Sequence, residues 1–291
     1  MLICPICKQK KIILVNNRVW DTKNRKVYQC FACKVVFLNP MLKGESLKKF
    51  YFDYNKYEQT REPNKKECLD KKKKEIESAQ RRFAILKKYF KKDHTICEVG
   101  ASFGYFLDLA KPLVNNLVAI EPSPKEQAIL KNKNIKSFDW IEDLPSNLKF
   151  DSVFMFHTFE HLPDPLVYLK NLKKYLKPNA KIIVELPNVD DALLSCYKVE
   201  EFKQFYFQSM HPFYYNDATL TNIFKKSGFK RLECFHIQRY PFSNHLNWLI
   251  NKKAGGSVMY EKAFKPINKK YEDILKSKKF TDTILSIFKV N

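Results

Sequence analysis

Two pairs of cysteines carry the plainest chemistry in this chain: Cys4-Pro-Ile-Cys7 and Cys30-Phe-Ala-Cys33. A C-x-x-C step sets two thiolates on one side of a tight turn. Two such turns facing each other make a closed tetrahedral set of four sulfurs suited to Zn²⁺. All four positions are filled, so none is open to a reactive water, and Cys4, Cys7, Cys30 and Cys33 are expected to hold a structural ion. Disulfides are the competing reading, which a reducing compartment disfavours. Cys68, Cys97, Cys196 and Cys234 are scattered and read as ordinary thiols.

A second constellation is Glu98-Val-Gly-Ala-Ser-Phe-Gly104, between an apolar run at 95–99 and an apolar helical stretch. The chain has only six glycines, and Gly100 and Gly104 both fall here. Glycine in such a turn permits positive φ and close approach of a ligand. The spacing is not the G-x-G-x-x-G of a dinucleotide site. An acidic residue just before the glycines suits a cationic or hydroxyl-bearing ligand better than a pyrophosphate. Glu121 ends the next apolar run, where a carboxylate can accept both hydroxyls of a ribose. The alternatives are an ordinary strand–helix turn and a solvent-facing glutamate. Past a third short run lies Asp139-Trp-Ile141, an acid and two large apolar groups able to border a flat ring.

The third constellation is His157, Glu160 and His161, just beyond an apolar run at 152–156, with His211 further on. A lone histidine is more often structural than catalytic. Two histidines and a glutamate at one sheet edge make acid–base work as credible as packing.

The elements that would position these groups follow from periodicity. Ile76, Ala79, Phe83, Leu86 and Phe90 recur at three- and four-residue steps, predicting one long helix over 65–92. From residue 93, strands at 95–99, 117–120, 135–138, 152–156 and 181–186 alternate with helices at about 104–111, 124–131 and 165–176. A helix at 217–227 ends at Gly228, and a strand-like run follows at 231–238. Alternating βα units predict a parallel sheet with helices on both faces. Residues 244–250 and 271–290 read as helical, with no chemistry evident there. The division expected is 1–40, a metal-binding ribbon; 41–92, an aromatic linker and lead-in helix; 93–238, the main domain; and 239–291, a helical extension. Tyr51, Tyr54 and Tyr57 in the linker are candidates to face the site.

With 45% hydrophobic residues over 291 positions, the chain can bury a sizeable core. No run of eighteen apolar residues occurs, so no membrane span is expected. The start lacks the pattern of a signal peptide, which makes a cytoplasmic protein the expectation. The formal net charge of +22 is compatible with an anionic partner. Its lysines are spread along the whole chain, which weakens that inference.

The turn at Glu98–Gly104 resembles motif I of the class I S-adenosylmethionine (SAM)-dependent methyltransferases, E/D-x-G-x-G-x-G, with Ser102 at the middle glycine. Glu121 resembles motif II. Phe150-Asp-Ser-Val and Thr158-Phe-Glu-His-Leu-Pro-Asp-Pro165 are similar to the "FD-x-V … L-E-H-L-x-D-P" run of the methyltransferases that modify ubiquinone and sugars. His211-Pro-Phe-Tyr-Tyr215 is similar to that group's "E-H-x-x-Y-F" stretch, although Met210 stands where the glutamate belongs. Sugar C-methyltransferases of this group also carry an N-terminal zinc unit, followed by a second αβ domain for which this chain ends too early. The resemblance implies a Rossmann-like α/β fold with the seven-stranded class I methyltransferase sheet behind a small N-terminal zinc ribbon. It implies SAM held by Glu98, Gly100, Ser102, Gly104, Glu121, Asp139, Trp140 and Ile141. His157 or His211, with a pKa near neutrality, would be the base, and Glu160 and His161 would stand beside it. The expected activity is O-methylation of a small or sugar-like acceptor, possibly nucleotide-linked. An RNA methyltransferase is the second expectation, making nucleic acid the alternative partner, and a non-catalytic SAM binder is the third.

Overall fold

The computed structural model describes residues 2–42, 65–255 and 260–290, together with Gly44 and Ser46. Tyr51, Tyr54 and Tyr57 lie outside the described residues. The N-terminal unit is a sheet of β1 (Ile12–Asn16), β2 (Lys26–Cys30) and β3 (Val36–Asn39), paired antiparallel in sequence order.

Helix α1 (Lys65–Leu86) leads into the main domain and gives way to a short 3₁₀ turn at Lys87–Tyr89. The core of the domain is β4 (Thr95–Val99), α2 (Tyr105–Ala110), β5 (Asn116–Ile120), α3 (Pro124–Asn132), β6 (Lys136–Phe138), β7 (Phe150–Phe156), α4 (Pro165–Lys173) and β8 (Leu176–Pro187). Then come α5 (Ala192–Ser195), α6 (Glu200–Tyr206), β9 (Phe213–Tyr214), α7 (Asp217–Lys226) and β10 (Phe229–Ile237). The chain finishes with α8 (Phe242–Asn251), α9 (Glu261–Lys278) and β11 (Thr283–Val290).

The main sheet has seven strands in the order β10-β11-β8-β7-β4-β5-β6. The five strands from β8 to β6 run parallel, while β11 lies antiparallel between β8 and β10. The parallel sheet expected from βα alternation holds across these five strands, and β11 alone among the seven runs against them. The helical reading of 271–290 is corrected: its first part belongs to α9, but residues 283–290 form a strand inside the sheet. The reason is burial on both faces. Ile284 and Phe288 join the core on one side, Leu285 and Ile287 the core on the other. A run apolar on both faces has no period to distinguish strand from helix.

The same two-sided burial explains β7, where Val153 and Met155 face one core and Phe154 and Phe156 the other. Local signals set the helix starts. Asp164 Oδ1 accepts from Val167 N ahead of Pro165, and Asn216 and Thr219 form a reciprocal capping box for α7.

The ribbon is not a separate bead. β3 pairs antiparallel with β9, Val36 opposite Tyr214 and Phe37 opposite Phe213, so the four-stranded sheet takes its last strand from the main chain. Val35 and Phe37 share one continuous core with Phe159, Phe213 and Tyr215. Among the described residues, no helix is long and apolar enough to cross a membrane.

Candidate active site

At the carboxyl end of β4 the chain turns through three residues at positive φ: Gly100 (72°), Ser102 (47°) and Gly104 (69°). A Cβ on Gly100 would lie 2.4 Å from Thr158 Oγ1, which is anchored to the Val99 carbonyl at 3.0 Å. A Cβ on Gly104 would lie 2.7 Å from Leu130 Cδ2. Serine is tolerated at the middle position because it adopts the left-handed conformation and donates its N–H to Glu121 Oε2 at 2.9 Å. Glu121 Oε1 accepts from Ser123 N at 3.0 Å, which fixes the carboxylate over the turn. Burial raises the Glu121 pKa against these two hydrogen bonds.

Glu98 is 4% exposed and its Oε2 has no hydrogen-bond partner. Burial pushes its pKa up to about 8; Arg82 works in the opposite sense, and Glu121 and Asp108 add to the rise. A buried carboxyl with an orphaned oxygen beside a glycine turn fits a cationic ligand, and SAM carries an ammonium and a sulfonium. The loop after β6 divides its three candidates. Trp140 is 45% exposed at the rim, and Asp139 Oδ1 accepts from Gln127 Nε2 at 2.6 Å. Ile141 is buried in the core, because the 3₁₀ turn it opens folds inward.

The second half of the site lies past β7 and β8. His157 ends β7 with φ of 53°, its N–H bonded to the Glu185 carbonyl. Its Nδ1 is 3.4 Å from Glu160 Oε1, and its Nε2 is 3.5 Å from Glu185 Oε1 and 3.1 Å from Arg239 Nη1. A guanidinium can only donate, so Nε2 is the acceptor and the ring proton sits on Nδ1, toward Glu160. Glu185 is fully buried and held by Arg81 (2.8 and 2.9 Å) and by Arg82 Nε (2.9 Å). Burial opposes its ionisation, but the Arg82 and Arg81 guanidiniums hold its pKa well below the usual range. Arg239 pairs in turn with Asp282.

His161 and His211 meet edge to face, ring centroids 4.6 Å apart. Burial, with Glu160 acting in the opposite sense, lowers the His161 pKa; burial and His161 push His211 down to about 3. The near-neutral pKa expected of His211 is thus corrected: a half-buried ring set against a second imidazole resists protonation. Its position comes from the ribbon. Leu38 N bonds the Pro212 carbonyl (2.9 Å), Trp20 N the Phe207 carbonyl (2.7 Å), and Asp21 Oδ1 accepts from Ser209 N (3.0 Å).

In the ribbon, the Cys4–Cys33 and Cys7–Cys30 sulfurs are 3.6 and 3.4 Å apart, and all four lie within 4.8 Å of one another. Tetrahedral Zn–S bonds of about 2.3 Å call for sulfurs about 3.8 Å apart, so the set fits that ion. Each knuckle closes alike, Lys8 N on the Cys4 carbonyl and Lys34 N on the Cys30 carbonyl, both at 3.0 Å.

A model of a family described as a methyltransferase domain matches residues 70–233, more than half of the chain. The chain belongs to this methyltransferase-domain family. Its family model and its sheet order are those of a SAM-dependent methyltransferase, and the enzyme class follows. Among solved structures, it is similar to a SAM-dependent methyltransferase from Archaeoglobus fulgidus, with a TM-score of 0.52 and 20% identity, covering 74% of this chain and 94% of that one. It is also similar to the magnesium protoporphyrin IX methyltransferase of Synechocystis with bound SAH, with a TM-score of 0.54 and 11% identity, covering 85% and 100%. Both likenesses speak to the fold. Curated relatives include proteins named tRNA U34 carboxymethyltransferase. That of Aliarcobacter butzleri is 25% identical over 166 residues, 52% of this chain and 53% of its own. That of Campylobacter jejuni is 28% identical over 169 residues, 52% and 55%. The methyltransferase spans about half the length of these relatives.

Sequence reasoning missed Arg81, Arg82, Thr158, Glu185 and Arg239. One signal was available: Glu185 is the single charge in Ile182-Ile-Val-Glu-Leu186, and a charge in a strand buried on both faces needs a partner. Arg239 reaches His157, and Asp282, from a stretch where the sequence showed no chemistry, holds Arg239 in place because β11 and β10 complete the sheet beside β8.

Proposed function

We propose that this methyltransferase transfers the methyl group of SAM to a hydroxyl of a small, uncharged, oxygen-rich acceptor of sugar-like type, with one structural Zn²⁺ in its ribbon. The observation that supports the acceptor class best is the charge balance around the histidines. Arg81 and Arg82 are paired with Glu185, and Arg239 with Asp282. These guanidiniums are committed to carboxylates, and Glu160 adds a further negative group, an environment that suits hydroxyls better than phosphates.

Bound SAM supplies a methyl group on a sulfonium, already a strong electrophile. The chain has to grip it, bring an acceptor oxygen into line and remove a proton as the new O–C bond forms. Glu98 and Glu121 would grip the cation and the ribose. Once the acceptor displaces the Arg239 N–H, His157 Nε2 would take the hydroxyl proton, its Nδ1–H turned to Glu160. His161 and His211 would border the acceptor.

The test is methyl transfer from labelled SAM into fractionated cell extract. Label should enter the small-molecule or glycan fraction. His157→Ala should lower turnover by roughly 10²-fold or more, the usual worth of a general base, with SAM affinity nearly unchanged. Unchanged turnover removes His157 from the mechanism.

A second reading, transfer to RNA, is favoured by the names of the curated relatives and by the net charge of +22. It predicts label in the tRNA fraction and an affinity that falls steeply with salt. That outcome would replace the sugar-like acceptor.

A further inference from the structure

Glu160, His161 and His211 offer one ligand atom each within 4.8 Å of one another. Glu160 is 2% exposed and neither of its oxygens has a hydrogen bond of good geometry; the His157 Nδ1–H turned toward it stands 3.4 Å from Oε1. Leaving a buried carboxylate unsatisfied costs several kcal/mol, roughly, unless something compensates it. The hydroxyls of Tyr206 and Tyr215 are likewise buried without partners, and both feel the Glu160 charge. His161 hydrogen-bonds the Met210 carbonyl, which fixes its tautomer and orientation as in metal-ligating histidines.

We propose that Glu160, His161 and His211 form a second metal site, distinct from the ribbon, that binds a divalent transition ion. Two imidazoles and one carboxylate make a three-ligand set with open coordination positions, suited to Mn²⁺, Fe²⁺ or Zn²⁺. A coordination sphere of about 2.0–2.2 Å needs donors about 3.0–3.6 Å apart, so atoms already within 4.8 Å of one another need only side-chain adjustments to reach it. The open positions would take acceptor oxygens, and an oxygen-rich acceptor suits such an ion. That last step rests on the function proposed above, whereas the ion site itself does not.

Mn²⁺ separates the two sites, because a four-thiolate ribbon selects softer ions. Titration of the full-length zinc-loaded chain with Mn²⁺, followed by electron paramagnetic resonance, should show one bound ion per chain. Glu160→Gln and the double variant His161→Ala/His211→Ala should weaken it at least tenfold, with ribbon zinc content and SAM affinity unchanged. Should a variant fail to fold, the wild-type Co²⁺ spectrum decides. The proposal requires a second set of d–d bands lacking thiolate charge transfer, and thiolate-type bands alone overturn it. No Mn²⁺ binding, or binding indifferent to the substitutions, also overturns it. SAM binding and methyl transfer are read separately, so loss of the ion site leaves the proposed reaction standing, and failure of transfer leaves the ion site standing.

Discussion

At the glycine turn, the side proposed for the cofactor, the groups that meet come from one continuous stretch, Glu98 to Glu121, joined by backbone hydrogen bonds such as Ser102 N to Glu121. Around the histidines, the side proposed for the acceptor, His157 touches Glu160, Glu185 and Arg239, while Arg81 and Arg82 reach Glu185 from a helix about a hundred residues earlier. His211 arrives on a segment pinned by the ribbon. The first half is a local device that tolerates change elsewhere in the chain. The second is a network of buried charges from five elements, in which each member depends on the others.

The contrast can be broken hardest at Gly100. Its φ of 72° and a Cβ position 2.4 Å from Thr158 leave no room, so Gly100→Ala should abolish SAM binding by calorimetry, at least a 100-fold loss. On the other side, Glu185→Ala leaves Arg81 and Arg82 without their buried anion and should cost about 3–5 kcal/mol of unfolding free energy, read from denaturant midpoints. Because the folded-state pKa of Glu185 is depressed, its contribution is present above its ordinary pKa and is lost as pH falls through the folded value. Glu121→Ala should weaken SAM by about 1–3 kcal/mol and leave stability nearly unchanged. A stability loss as large as that of Glu185→Ala would erase the distinction drawn between the two halves.

The smallest effect sharpens the cofactor side alone. Glu98, raised to about 8 with Arg82, Glu121 and Asp108 around it, is largely protonated at neutral pH. Its contribution to stability is full below its ordinary pKa and is lost as pH rises through about 8. A bound cation favours the carboxylate, so SAM binding should release a proton. Affinity should rise with pH, by at most about tenfold per unit, and level off above about 8. Glu98→Gln should remove both the proton release and the slope. A flat profile in the native protein would mean Glu98 does not face the cofactor.

The glycine turn and the position of Glu121 were legible because a turn at positive φ demands glycine, and an acid ending the next strand is fixed by spacing alone. The sulfurs of Cys4, Cys7, Cys30 and Cys33 were legible for the same reason: a short loop dictates where its side chains go. Ser102 shows the limit, since only the geometry reveals that serine takes up the left-handed conformation there. Strand β11 was misread because two-sided burial removes the period that tells strand from helix.

By itself, then, the sequence determined the alternation that builds the sheet, the glycine turn after β4 and the pairs of cysteines, all features set by neighbours along the chain. Only the tertiary structure decided that Arg239 would reach His157, that two arginines would bury Glu185, and that a ribbon strand would carry His211 against His161. Those contacts join residues far apart in the chain, and the energy that selects them exists only once the sheet has closed and excluded water.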